Sequence, residues 1–295
     1  MRIDKWIDKN THSLAGKLVA VSGSTGGLGR ELCFYLARLG ASLVLVDRNY
    51  AKSKAFADEL AGLCPSAKIK LVTADMADMA SVVEATCALG EMELDYLLLN
   101  AGAYSIPRCT TDAGFDNVFQ INFVSPYYMA RQLLPKIRKR GGRVVAVGSI
   151  AHNYSKIDEG DIDFSKRKQA SLVYGNAKRF LTYSLLDLSE GDVVIAHPGI
   201  AFTGITNHYP TLIFALIKHP MKIIFMKPKK AALSILCGLF VECDGDSWIG
   251  PAIFDVWGLP RVKKLKTATV KEREKICSIA EKIYNKTNIY NEKSG

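Results

Sequence analysis

The sequence lacks any uninterrupted apolar run of the roughly 18 residues that a membrane-spanning helix needs. Its start, MRIDKWIDKN, carries acidic side chains where a secretion signal has an apolar stretch. The seven cysteines are odd in number and scattered, and no Cys-x-x-Cys pair occurs among them. These absences argue against secretion, a disulfide framework and a zinc site. They predict a cytoplasmic protein with reduced thiols and no bound metal.

Acidic residues are outnumbered by basic ones, 29 against 39, which gives a formal net charge of +10. From residue 211 onward, 15 basic residues against 8 acidic ones contribute +7 of that charge. No zinc finger, RNA-binding aromatic signature or basic recognition helix accompanies it. The excess therefore predicts a solvated basic face and no nucleic-acid partner, and it leaves a weak peripheral contact with anionic lipid open.

Short β-branched segments alternate with helical segments along the chain. The predicted strands lie at 17–22, 42–47, 68–74, 94–100, 143–148 and 192–197, with a last one at 253–257. Near-continuous apolar strands of this kind are typical of a parallel sheet with helices on both faces. The pattern predicts an α/β protein, a doubly wound Rossmann fold in a single domain over residues 1–295.

The first predicted strand runs into a glycine-rich turn, SGSTGGLG, at residues 22–29. Glycine lets the backbone turn sharply and approach a pyrophosphate, and the helix that follows offers free N–H groups to that anion. Because the turn lies directly between a strand and a helix, it predicts a nucleotide-binding site. The residues assigned to that site here are Gly23, Ser24, Thr25, Gly27, Leu28 and Gly29.

The second strand ends at Asp47, followed by Arg48. An acidic residue there can accept hydrogen bonds from the adenosine ribose and would repel the extra phosphate of NADP, whereas the arginine can bind that phosphate. Since the glycine-rich turn holds no basic residue, NAD(H) is favoured and NADP(H) stays the alternative. Asp47 can also be interpreted as a helix cap or turn residue.

Two further strand ends are assigned to the same cofactor. Asp75 and Met76 follow the third strand, where they can touch the adenine, although an ordinary strand-end aspartate would look the same. The fourth strand closes with Asn100, Ala101 and Gly102, small residues that suit a backbone passing close to a ligand or to a neighbouring strand.

Two Tyr-x3-Lys pairs occur, and their contexts separate them. Tyr50 and Lys54 start the second helix, which indicates a surface pair. Tyr174 and Lys178 lie on a helix after the fifth strand, where residues four apart share a face. The lysine ammonium and an oxidised nicotinamide would lower the tyrosine pKa from about 10, so that the phenol can exchange a proton with an alcohol or carbonyl. Ser149, at the end of the fifth strand, can orient the substrate oxygen.

Two more elements complete the candidate site. Asn122 is a polar residue in an apolar helical stretch, and a buried amide needs partners. A structural kink or a water site is the alternative to a catalytic role for it. Pro198 and Gly199 break the sixth strand and bring backbone groups to the cofactor, where Thr203 can bond the nicotinamide carboxamide.

This ordered set of motifs resembles the short-chain dehydrogenase/reductase family over residues 14–254. The resemblance implies a Rossmann enzyme with a seven-stranded parallel sheet and nicotinamide-dependent hydride transfer. It implies that Tyr174 is the acid/base and that Lys178 grips the nicotinamide ribose. It also implies that Ser149 holds the substrate oxygen and that Asn122 supports a proton-relaying water.

Two departures from the family pattern stand out. Ser22 replaces the usual threonine before the first glycine, and Ser149 lies 25 residues before Tyr174, a longer interval than in much of the family. The polar segment 152–171 between them is interpreted as a loop insertion. That loop and the VGSIAH sequence resemble the retinol dehydrogenase-like branch, whose members act on apolar alcohols and carbonyls.

The C-terminal third is assigned to substrate binding and packing. Residues 204–230 are expected to cover the substrate, and their Leu, Ile, Phe and Met residues interleaved with lysine suit a bulky hydrophobic one. A shallow contact with anionic lipid and ordinary core packing are the alternatives. Residues 260–295 are assigned as a C-terminal extension, whose basic helix at 271–284 stays on the surface or packs against a second subunit, so a homo-oligomer is left open.

The predicted function is that of an NAD(P)-dependent oxidoreductase that interconverts a hydrophobic secondary alcohol and its ketone, steroid-, retinoid- or lipid-like. The alternative is a non-catalytic NAD(P)-binding redox sensor. Such proteins usually lose the tyrosine or the lysine, whereas Ser149, Tyr174, Lys178 and Asn122 are all present.

Overall fold

The computed structural model describes residues 3–200, 226–265 and 267–292. Its strands are β1 Leu18–Ser22, β2 Ser42–Asp47, β3 Ile69–Thr73, β4 Tyr96–Leu99, β5 Arg143–Val147, β6 Val193–Ala196, β7 Ser247–Ile253 and β8 Trp257–Lys264. They form one sheet in the order β3-β2-β1-β4-β5-β6-β7-β8. Strands β1 to β7 pair in parallel, and β8 pairs antiparallel with β7.

Helices cover both faces of this sheet. They are α1 Ile3–Asn10, α2 Gly27–Arg38, α3 Tyr50–Leu63, α4 Met79–Gly90, α5 Asn117–Phe119, α6 Ser125–Lys139, α7 Ala170–Asp187, α8 Pro228–Cys237 and α9 Val270–Glu292. A π-helical turn, Gln120–Val124, joins α5 to α6, and a 3₁₀ turn, Ile150–Asn153, follows β5. One core lies under α4, α6, α7 and α9, and the other lies under α1, α2, α3 and α8.

The two cores explain why the strands are apolar at nearly every position. In β1, Val19 and Val21 join one core and Ala20 joins the other, and all three are fully buried. Successive side chains of a strand point to opposite faces, so a strand covered on both faces needs an apolar residue at each step. The predicted doubly wound α/β fold is confirmed.

The sheet has the seven parallel strands that the resemblance implies, β1 to β7, and an eighth strand, β8, that is antiparallel and was not predicted. The predicted strand at 253–257 is wrong, because residues 254–256 form the turn between β7 and β8. Phe254 and Asp255 have φ of +51° and +57°, values that a strand does not adopt. The true strands carry Pro251 and Pro260, which face each other in the β7–β8 pair and mask the sequence signal of a strand.

The C-terminal helix packs against its own chain. Helix α9 contacts α7, α4 and α6, with Ile276 and Ala280 fully buried between them. The division of residues 1–295 into one domain with segments at 204–230 and 260–295 stays a prediction, and residues 204–225 lie outside the described part. Among residues 3–200, 226–265 and 267–292, no helix is both long and apolar enough to span a membrane.

Candidate active site

The turn between β1 and α2 requires glycine at two positions. Gly23 has φ +66°, and a Cβ there would stand 2.9 Å from Ala101 Cα. A Cβ on Gly29 would collide with the Gly23 carbonyl oxygen, because the turn folds directly against the start of α2. The turn thus lies at the N-terminal end of α2, where a helix leaves backbone N–H groups unpaired within it and favours an anion.

The end of β4 is fastened to this turn by hydrogen bonds. Asn100 Nδ2 donates to the carbonyl oxygens of Ser22 and Gly23, each at 3.0 Å. The Ser22 hydroxyl accepts from the backbone N–H groups of Asn100 and Ala101 at 3.0 and 3.1 Å. The Asn100 side chain therefore holds the start of the glycine-rich turn against the end of β4.

Asp47 is buried and is committed to the same turn. Its carboxylate accepts hydrogen bonds from the Ser24 hydroxyl, from the Thr25 N–H at 3.1 Å, from the Thr25 hydroxyl at 3.0 Å and from the Ser53 hydroxyl at 2.7 Å. A carboxylate offers about four lone-pair sites, so these partners use its accepting capacity. Asp47 was predicted either to bind the ribose or to act as a cap or turn residue. Its contacts with Ser24, Thr25 and Ser53 are those of a turn residue.

A crevice of about 790 Å³ opens beside this turn, where the strand order reverses between β1 and β4. Ligands of doubly wound folds bind at such a point. The predicted cofactor residues that line it are Gly23, Thr25, Gly27, Leu28, Gly29, Asp47, Arg48, Asp75, Met76, Asn100, Ala101 and Gly102. Ser24 is fully buried behind the turn, and the Asp75 carboxylate accepts from the Ala77 N–H at 2.9 Å.

Nine lining residues were not predicted: Gly26, Val46, Asn49, Lys52, Ala74, Ala103, Tyr104, Ile106 and Ile121. Lys52 lies in the first turn of α3, four positions after Arg48, so a second cation close to Arg48 in the sequence was the available signal. Tyr104 follows Asn100, Ala101 and Gly102 by two positions, and nothing in its local pattern marks it.

The other end of the site brings Ser149, Tyr174 and Lys178 together. Ser149 precedes the 3₁₀ turn after β5, and the other two residues lie one helical turn apart on α7. Lys178 is buried, with Nζ 5.6 Å from the Tyr174 ring centroid and donating to the Val147 carbonyl oxygen at 2.8 Å. The Tyr104 ring meets the Tyr174 ring edge to face, with centroids 5.3 Å apart.

Burial dominates the titration of this group. It raises the pKa of Tyr174 to about 12, and a hydrogen bond with the Ser149 side chain opposes the rise. Burial also lowers the pKa of Lys178 to about 7. The chain's own groups therefore do not lower the tyrosine pKa as expected, because desolvation disfavours both the phenolate and the ammonium.

Asn122 lies in the π-helical turn and is fully buried. Its Nδ2 donates to the carbonyl oxygens of Ala103 and Val118 at 2.7 and 2.8 Å, and its Oδ1 accepts from the Ala103 N–H at 3.3 Å. A Cβ on Gly102 would stand 2.8 Å from that Oδ1 and 3.8 Å from Lys178 Nζ. The amide thus joins the helix to the loop after β4. These contacts agree with the structural alternative to a catalytic role, and a role in water relay stays a prediction.

The motif after β6 is described only in part. Gly199 has φ +82°, and a Cβ there would stand 2.7 Å from the Val256 carbonyl oxygen, which explains the glycine after Pro198. Thr203 lies outside the described residues. In the part of the chain that the structure describes, no group of three or more His, Cys, Asp or Glu side chains is arranged to hold a metal ion.

A doubly wound sheet with a glycine-rich turn at its reversal point, and a Ser-Tyr-Lys group beside it, defines the class of nicotinamide-dependent oxidoreductases. A family model described as short chain dehydrogenase matches residues 17–159. An uncharacterized oxidoreductase of Schizosaccharomyces pombe is 30% identical over 258 residues, which cover 79% of this chain and 74% of the relative. The chain belongs to the short-chain dehydrogenase family.

Two named relatives refine the placement. Retinol dehydrogenase 13 of Homo sapiens is 29% identical over 206 residues, covering 66% of this chain and 62% of the relative. Polyprenol dehydrogenase of Mus musculus is 27% identical over 237 residues, covering 75% and 70%. Within the family, the chain falls in the retinol dehydrogenase-like branch.

Solved structures agree on the fold. A protein from Mycobacterium paratuberculosis superposes with a TM-score of 0.71 at 22% identity, covering 96% of both chains. The RhlG/NADP active-site complex of Pseudomonas aeruginosa gives a TM-score of 0.59 at 24% identity, covering 79% of this chain and 94% of that one.

Proposed function

We propose that the protein interconverts a hydrophobic secondary alcohol and its ketone, steroid-, retinoid- or lipid-like, with Tyr174 as the acid/base. The observation that carries the proposal is the grouping of Ser149, Tyr174 and Lys178 beside the crevice. A proton donor and acceptor, an orienting hydroxyl and a cation are what alcohol–carbonyl exchange needs from the protein.

The residues of the crevice fit a nicotinamide dinucleotide. The glycine positions that admit no Cβ, Gly23 and Gly29, let the turn pack tightly against Ala101 and the start of α2, so its backbone lies at the helix N-terminus, where a pyrophosphate is favoured. When bound, the nicotinamide donates or accepts the hydride. We assign Lys178 to its ribose, because a Cβ on Gly102, which lines the crevice, would stand 3.8 Å from Lys178 Nζ.

The contacts of Asp47 bear on cofactor choice. Its carboxylate is occupied by the turn, so the main reason for favouring NAD(H) is removed. Arg48 and Lys52 line the crevice and are exposed, and two cations at the ribose end suit a 2′-phosphate. These contacts support NADP(H) as the preferred cofactor, the reverse of the preference drawn from sequence.

The chain's own residues handle the proton. The Ser149 side chain is close enough to the Tyr174 phenol to lower its pKa, so a substrate oxygen bound there can meet both. In reduction the phenol gives its proton to the carbonyl oxygen, and in oxidation the phenolate removes the proton of the alcohol. The positive ring of an oxidised nicotinamide, when bound, would lower the tyrosine pKa from the value that burial sets.

The walls near Tyr174 are apolar. The Tyr104 ring contacts the Tyr174 ring. Tyr174, Ile106 and Leu172 pack together against a small buried cluster that contains Phe164. Such a surface suits an apolar substrate. The names of the relatives, retinol and polyprenol dehydrogenase, point to isoprenoid alcohols as the first lipids to test.

The first experiment follows nicotinamide absorbance with NADPH and NADH across hydroxysteroids, retinoids, polyprenols, sugars and small aldehydes. We expect turnover of a bulky apolar member, and a loss of about 10²–10⁴-fold in kcat in Tyr174→Phe with the cofactor Kd little changed. The control is Tyr50→Phe in the other Tyr-x3-Lys pair, where Tyr50 is 59% exposed, and it should keep wild-type turnover. Tight cofactor binding without turnover on the whole panel favours the redox-sensor alternative.

A further inference from the structure

Arg179, the residue after Lys178 on α7, is a buried arginine. Its guanidinium forms a two-point ion pair with Glu272, with Nε 2.9 Å from Oε1 and Nη2 2.8 Å from Oε2. Nη1 donates to the His152 carbonyl oxygen at 2.9 Å, and Nη2 donates to the Thr267 carbonyl oxygen at 2.8 Å. One side chain therefore joins α7, the 3₁₀ turn after β5 and the segment that leads into α9.

The turn held by this guanidinium begins directly after Ser149. His152 Nδ1 lies 2.6 Å from the Ser149 carbonyl oxygen, and the His152 N–H donates to the same oxygen at 3.1 Å. The turn also packs so closely on α7 that a Cβ on Gly175 would collide with the Ala151 carbonyl oxygen. A shift of the turn along α7 would therefore move the serine relative to the proposed acid/base on that helix.

Glu272 is well placed to anchor the arginine. It stands in the first turn of α9, where its N–H donates to Thr269 Oγ1 at 3.3 Å, and its side chain is 17% exposed. A carboxylate near a helix N-terminus is stabilised by the helix dipole. The orientation of the pair is thus set by α9, a helix that also packs against α4, α6 and α7.

We propose that Arg179 and Glu272 are positioning residues, whose ion pair fastens α9 to the turn that carries Ser149 and fixes that hydroxyl against Tyr174. The inference rests on the proposed function, since it gives two residues outside the crevice a part in that reaction. A planar guanidinium serves three acceptors at fixed angles, which an ammonium does not. A residue 93 positions further along the chain than the arginine thereby enters the catalytic geometry.

The test compares Glu272→Gln and Arg179→Lys with Glu281→Gln in the full chain. Glu281 lies on the same helix and pairs with Arg131 on α6, so its loss removes an α9 ion pair without touching the turn. We expect kcat to fall about 10- to 100-fold in the first two variants with the cofactor KM within about twofold of wild type. The Glu281 variant should keep the wild-type kcat.

Hydrogen exchange of the backbone at 149–153 gives a readout that needs no turnover. We expect exchange at 149–153 to be faster than in the wild type in Glu272→Gln and Arg179→Lys. In Glu281→Gln it should proceed at the wild-type rate. Equal kcat in all variants, or unchanged exchange in the turn, overturns the inference and leaves the proposed function standing. A wild-type protein that turns over no substrate of the panel overturns the proposed function, and the exchange data then decide separately whether the ion pair holds the turn.

Discussion

At the scale of single residues, Asp47 determines the shape of the glycine-rich turn. Its carboxylate is 6% exposed and accepts from Ser24, Thr25 and Ser53. Removing an acceptor from buried donors costs about 1–3 kcal/mol because the donors lose their partners. We therefore expect the aspartate to act on cofactor binding through the turn, and the exposed Arg48 beside it to act through its charge.

Asp47→Asn should weaken NADPH and NADH binding alike, by about tenfold, because the turn loses acceptors on which both cofactors depend. Arg48→Ala should weaken NADPH by about tenfold or more and leave NADH nearly unchanged. Titration of each variant with both cofactors, followed by nicotinamide fluorescence, measures the four dissociation constants. Selective loss of NADH in Asp47→Asn would contradict this, since it would mean that the carboxylate binds the ribose.

The grouping of the proposed catalytic residues was predictable, and the contacts of Asp47 were not. Ser149, Tyr174 and Lys178 depend on a strand end and on the spacing of one helix, both of which are local. The hydrogen bond from Ser53 to Asp47 depends on how α3 docks on the sheet, which no local pattern shows. The same holds for Arg179 and its distant partner.

At the scale of elements, the contact between α7 and the 3₁₀ turn depends on one glycine. Gly175→Ala places a Cβ against the Ala151 carbonyl oxygen, so the helix and the turn must separate. We expect a loss of about 1–3 kcal/mol in the free energy of unfolding, together with reduced kcat. Denaturant titration and steady-state kinetics on the same preparation measure both effects.

Gly62→Ala is the matched control for this glycine. Gly62 lies in α3, and a Cβ there meets nothing within 4 Å among the described residues. Because alanine is the better helix former, the change should stabilise the protein by about 0.5–1 kcal/mol and leave kcat unchanged. A Gly175→Ala protein that is as stable and active as this control would contradict the prediction, since the turn would then move away from α7 with no loss of stability or kcat.

The strands differ in how well the sequence predicts them. Strands β1, β2, β4, β5 and β6 are buried on both faces, so nearly every step is apolar and the signal is clear, whereas the edge strand β3 is only partly buried. Strands β7 and β8 form the end of the sheet, where prolines and glycines are tolerated, and no residue of β8 is fully buried. Their antiparallel pairing depends on the tight turn at Phe254 and Asp255. The residues around this turn are mostly apolar, so the sequence does not mark it as a turn.

At the scale of the whole molecule, a buried histidine couples stability to pH. His197 stacks on Trp248, with ring centroids 5.4 Å apart, and its Nε2 lies 3.0 Å from the Asp255 carbonyl oxygen. Burial lowers the pKa of His197 to about 4, although the facing Asp255 opposes that shift, and His152 adds to it. The folded protein therefore holds the neutral imidazole.

The unfolded chain protonates the same histidine at about 6.5, so it binds more protons than the folded protein between the two pKa values. The free energy of unfolding should fall as pH drops from about 6.5 to about 4, by on the order of 3 kcal/mol from this residue. Urea unfolding across that range measures the slope. His197→Gln should flatten it, whereas His12→Gln, at an exposed histidine, should not. An identical slope in both variants would assign the pH dependence to other groups.

The strand order has a consequence for how the protein folds. Leu18 pairs with Ser42 on one side of β1, whereas Val19 pairs with Tyr96 on the other, so the second pairing closes a much longer loop and carries the larger entropic cost. The crevice lies at that junction and does not exist until it closes. A dinucleotide therefore binds only chains that have completed their longest-range central pairing. At a concentration of about 100 times its Kd, it would add about 2.7 kcal/mol to the stability of that pairing.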